Sequence, residues 1–122
     1  FNAIDLDNLV EEIEDLARRH RDALKSNLIV IMLHLLKWQY QSGKRSRSWE
    51  ASILEPRFRV NEALADMPSL KSYLPEIYER CYEFARRKAA IETGLAVGVF
   101  PVRCCWDVKN LLDADYLPRT DD

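Results

Sequence analysis

A chain of 122 residues, 48% apolar and 31% charged, has the length of one domain that buries most of its unfolded surface around a single core. Its net charge of -2 supplies no global field for nucleic acid or an anionic membrane, so any polyanion site has to be local. The longest apolar run, Leu28 to Leu33, is far shorter than the roughly 20 residues of a bilayer span, and the three cysteines, Cys81, Cys104 and Cys105, lack the spaced pairs of a disulfide framework or zinc site, which fits reduced thiols in the cytoplasm.

From Leu6, the positions Leu9, Ile13, Leu16, His20, Leu24, Leu28, Ile31, Leu35 and Trp38 follow steps of three and four, the helical period. Asp5 or Asp7 can cap the start. Residues 28–36 are apolar on every side, the mark of a helix surrounded by others. No proline or glycine interrupts 7–41, so the segment is either one helix of about 50 Å or two with an unmarked break near Ala17 to Ser26; one continuous helix is the favoured reading.

Ser42, Gly43 and Lys44 form the first turn, after which Ser46 or Ser48 can cap a second helix that carries Trp49, Ile53, Val60, Leu64 and Met67 inward and is kinked by Pro56. A boundary at 67–70 precedes a third helix with Pro75 in its first turn, an inward stripe of Ile77, Cys81, Phe84 and Ile91, and a stop at Gly94. Asp107 can cap a short helix over 108–112, and the chain is expected to fray after Pro118. The fold class is therefore all-α: an antiparallel helical bundle with one long central helix, two further long helices and a short C-terminal helix, forming one domain over 1–122. The opening at Phe1 points to a processed, trimmed or partly ordered piece of a longer protein, with an upstream segment missing.

Few constellations carry chemistry. Glu11, Glu12, Glu14 and Asp15 offer carboxylates at spacings that can share a metal, but no acid precedes His20 or His34 by three as a di-metal bundle requires, so Glu11 and Glu12 are weak metal candidates and a solvated acidic first turn is the better reading. His34 lies in the apolar segment, where its ring needs a partner. Arg57 falls on the inward stripe, where a guanidinium needs a carboxylate or a bound anion.

Counting equal rises from a turn at Lys44 sets Trp38 against Trp49, and His34 against Leu54, one turn from Arg57. Counting from Pro68 brings Glu92 level with the first turn, as counter-ion to Lys44, Arg45 or Arg47. His34, Arg57 and Glu92 thus form a candidate polar cluster. The stretch from Lys37 to Trp49 combines Lys37, Lys44, Arg45 and Arg47 with Trp38, Tyr40 and Trp49 and ends at the Ser48 helix start, a pattern that suits an anion or single-stranded nucleic acid, although tryptophans at helical spacing are more often core. No glycine-rich phosphate loop, nucleophile elbow or paired-cysteine motif occurs, so no cofactor is expected.

EEIEDL at 11–16, HLLKWQYQ at 34–41, RSW at 47–49, Arg57, PSL at 68–70 and Glu92 resemble the bacterial family called domain of unknown function 29, over nearly the whole chain. The resemblance implies an all-helical fold, an additional upstream helix and no established activity. Glu11, Glu12, His34, Lys37, Trp38, Arg47, Ser48, Trp49, Arg57 and Glu92 match its motif positions, whereas Ala17 and Pro56 depart from them.

Three functions are compatible with these residues. The first is a non-catalytic helical interaction module, a homo-oligomer or an accessory to a protein partner. The second is a phosphate, nucleotide or nucleic-acid binding protein or hydrolase using Lys37, Trp38, Arg45, Arg47, Ser48 and Trp49, with His34 as base. The third is a metal-dependent enzyme built on residues 11–15 and His34.

Overall fold

The computed structural model describes residues 2–119. Its first helix, α1, runs unbroken from Ala3 to Tyr40, about 57 Å over 38 residues, as expected of a segment with nothing to break it. Neither Asp5 nor Asp7 is its cap. Asn2 is, accepting from the Asp5 amide at 2.9 Å, while the Asp5 carboxylate accepts from the Asn2 amide at 3.3 Å. In this reciprocal box the aspartate plays the second part, which moves the start upstream of the acids.

A 3-10 turn at Ser42–Lys44 reverses the chain, and of the two serines it is Ser46 that caps α2 (Arg47–Asp66), accepting from the Trp49 amide at 3.2 Å. Pro56 removes one helical donor yet sits inside α2 without ending it. The boundary after Asp66 is a second 3-10 turn, Pro68–Ser72. Helix α3 (Leu74–Thr93) follows with Pro75 in its first turn, and it stops at Gly94, whose φ of 74° a residue with a Cβ adopts only at a cost. The tail makes a last 3-10 turn at Val97–Val99 and ends in α4 (Val108–Leu112), capped by Asp107 as its sequence predicts. The expected fraying past Pro118 concerns a segment that, from residue 120, lies outside the described residues.

Helices α2 and α3 both pack on the carboxy-terminal half of α1, and Leu28, Ile31, Leu35, Ile53, Val60, Ile77 and Tyr82 meet there as the core. The inward stripe of α3 matches the sequence expectation at Ile77 and Cys81, which are buried, and differs beyond them: Phe84 is 57% and Ile91 82% exposed, and Tyr82, Ala85 and Ala89 are buried instead. Alanines at steps of four let α3 approach α1 closely, and that contact outweighs the larger but differently placed Phe84 and Ile91. Among the described residues there is no strand, and no helix is long and apolar enough to cross a membrane.

The irregular tail is held through its backbone. Tyr82 donates its hydroxyl to the Pro101 carbonyl at 2.6 Å, Tyr78 to Trp106 at 2.7 Å, and Arg86 its Nε to Phe100 at 3.2 Å. Buried Phe100 and Trp106 pack edge-on against Tyr40 and Tyr82. Side chains of the bundle thereby supply the donors that a strandless segment cannot find in itself.

Candidate functional site

The three residues of the predicted polar cluster have three separate sets of partners. His34 is half-buried, with Nδ1 2.9 Å from the Val30 carbonyl of its own helix, beside a shallow groove of about 320 Å³ shared with Ser52, Glu55 and Pro56. The counting rule placed it at the right depth. Arg57, however, points to the other side of α2, 1% exposed, donating Nε to the Leu111 carbonyl at 2.7 Å and an Nη to Asn110 at 3.4 Å.

Arg57 is therefore bonded directly to backbone carbonyls and not to a carboxylate. Its direct partners are the open carbonyls at the end of α4, where a cation also opposes the helix dipole. Burial pushes the guanidinium below its ordinary pKa, with Asp113 and Tyr116 opposing. Asn61 completes the arrangement by donating to the Leu112 carbonyl at 3.0 Å.

Glu92 meets none of Lys44, Arg45 and Arg47; it pairs with Lys37 at 3.3 Å. The count from Pro68 was nearly two turns too generous, because the 3-10 turn at Pro68–Ser72 delays the start of α3 to Leu74. In the basic and aromatic stretch, Lys37 Nζ lies 5.2 Å from the Trp49 ring centre and the Arg45 guanidinium 4.7 Å from that of Trp38, while Arg45 Nε also donates to the Trp38 carbonyl at 2.8 Å. These cations cover ring faces that a stacked base would need.

Arg47 and Ser48 are exposed at the start of α2, and Arg47 joins Arg57, Glu50, Leu54, Asp115 and Leu117 around a cleft of about 560 Å³. Both charge signs are represented on its walls, and its described lining contains no serine, cysteine or histidine. Glu11 and Glu12 stand exposed on α1, about 33 Å along one unbroken helix from His34. Among the described residues no three histidine, cysteine or acidic side chains converge as a metal site would require.

What the sequence reading passed over is the other end of α1. Its first buried residue is Leu24. The α2–α3 link reaches back only to Ala17 and Arg21, whose guanidinium lies 5.8 Å from the Tyr73 ring centre. Residues 3–16 therefore project about 21 Å beyond the bundle. On this projection Ile4, Leu6, Leu9, Val10, Ile13 and Leu16 are each 42–70% exposed. Asp5, Asp7, Glu11, Glu12, Glu14 and Asp15 surround them, all exposed, and the first basic residue is Arg18, which pairs with Asp15 at 3.2 Å.

A model of the family described as Domain of unknown function DUF29 matches residues 1–117. The chain belongs to that family. No curated protein and no solved structure matches it. Membership in DUF29 assigns no activity, so a functional reading of this DUF29 member has to come from its own surface.

Proposed function

We propose that this protein is a non-catalytic helical interaction module, with the projecting amino-terminal third of α1 as its contact surface. The observation that carries the reading is six large apolar side chains exposed together on one amphipathic helix end. A lone helix of that length is marginal in water, and a contiguous apolar stripe rimmed by charge is the usual form of a protein-binding surface. Leu6, Leu9, Val10, Ile13 and Leu16 share one stripe while Ile4 lies on the opposite side, and covering these five half-exposed aliphatic side chains yields about 1 kcal/mol each. That total lies near the lower end of the cost of association, so the contact belongs to the weak, reversible class.

The three free thiols support a reducing, cytoplasmic setting. The test is a photoactivatable phenylalanine analogue at Leu9. Illumination is expected to give one cross-linked protein product, identified by mass spectrometry, that disappears when Ile13→Glu is added. No such product, or one indifferent to Ile13→Glu, would remove the reading.

A further inference from the structure

The outer face of α3 carries chemistry opposite to that of the projection. Arg80, Phe84, Arg87 and Ile91 recur at steps of four, three and four and share one exposed stripe, with Lys88 beside it. Phe84 and Ile91 are 57% and 82% exposed, and near the end of the stripe a groove of about 520 Å³ runs between Arg87, Ala90, Ile91 and Val97, flanked by Glu83.

The two surfaces also match in length. Leu6 to Leu16 spans about 15 Å of helix and Arg80 to Ile91 about 16 Å. One is apolar with six acids and no base before Arg18; the other is apolar with three cations along its exposed edge. Pairing two projections with each other would instead set acid against acid along the whole contact, an arrangement that like charges oppose.

We infer that the occupant of the projecting end of α1 is a second copy of this chain, which receives it on the Arg80–Ile91 face of α3. This deepens the interaction reading and rests on it. Ile13 and Leu16 pack against Phe84 and Ile91 of the next copy, and the acids beside them face Arg80, Arg87 and Lys88. The contact is heterologous, one patch meeting a different patch, so a pair keeps one unused projection, on one copy, and one unused α3 face, on the other, and assembly continues beyond the dimer unless a ring closes.

Sedimentation of the purified chain from micromolar to millimolar concentration tests this. The wild-type mass is expected to rise from the 14.3 kDa of one chain through successive multiples. Ile13→Glu, which damages only the projection, and Phe84→Glu, which damages only the α3 face, are each expected to remain monomeric with unchanged helical circular dichroism. Mixed, they form a single 1:1 pair that grows no further, because each supplies the surface the other lacks. Arg87→Glu, which leaves the apolar residues in place, weakens association roughly tenfold, and added salt weakens the wild type in the same direction.

Association abolished by Ile13→Glu but untouched by Phe84→Glu would mean that projections pair with each other, and would overturn the inference. A wild type monomeric throughout, or a mixture of the two variants that stays monomeric, also overturns it. If Leu9 meanwhile cross-links to a different, identified protein, the interaction reading stands while this occupant falls.

Discussion

Replacing Arg57 with methionine keeps most of the aliphatic bulk in a site that is 1% exposed and removes the charge and both donors. The 2.7 Å bond to the Leu111 carbonyl is charge-assisted and short, in the class whose loss costs about 1.5–3 kcal/mol. The 3.4 Å bond to Asn110 adds little, since that carbonyl also accepts from the Asp113 amide at 3.2 Å. Relief of guanidinium burial offsets part of the loss.

The net expectation for Arg57→Met is about 2 kcal/mol, or a fall in Tm on the order of 8 °C for a domain of this size. Thermal unfolding followed by circular dichroism measures it. Amide exchange should show the change concentrated at 107–113, because the substitution releases α4 from α2 while the α1–α3 core keeps its contacts. A Tm within 2 °C of wild type with α4 still protected would refute the argument, as would phosphate raising the wild-type Tm but not that of the variant, since that would make Arg57 an anion ligand.

Burial raises Tyr78 and Tyr82 above their ordinary value and pushes the Cys104 thiol up to about 11. Each group's stabilising contribution is complete below its unfolded value of 9.0 for the thiol or 10.0 for the phenols and is lost as pH rises, because unfolding lets the group ionise; Tm should be level near neutrality and fall above about pH 9, less steeply in Tyr82→Phe. Iodoacetamide at pH 8 should label exposed Cys105 well before Cys104 or buried Cys81, as read by peptide mass spectrometry. Lys37→Met, which loses the Glu92 pair and the contact with Trp49, should cost about 1 kcal/mol in urea unfolding. Ile13→Glu should leave Tm of the dilute protein within about 2 °C of wild type, since the projection carries no core contacts.

Apart from the start of α1, where Asn2 and not Asp5 or Asp7 is the cap, the helix boundaries were legible because they rest on local chemistry: Ser46, Asp107, Pro75 and Gly94 act where they stand in the sequence. Burial of Arg57 was legible from its position between Ile53 and Val60, but its partner was not, because a backbone carbonyl on a tail fifty residues later leaves no residue-type signature. Helical periodicity tells which side of α1 is apolar and not whether another helix covers it. The stripe from Leu6 to Leu16 therefore has the same pattern as the buried positions that continue it. On α3 two apolar stripes competed, and the alanines that decided between them carry little hydrophobic weight. The acids at 5–15, without a base among them, were the available sign that this end of α1 faces water.

Amide exchange along α1 in dilute, monomeric protein tests the central claim most directly. Opening free energies run from near zero at uncovered ends to the global value in packed helices, so amides of residues 6–16 should exchange at least roughly a hundredfold faster than those of 28–39. Equal protection across the two halves at the same dilution would show that the projection is already covered within its own chain, and would contradict the account.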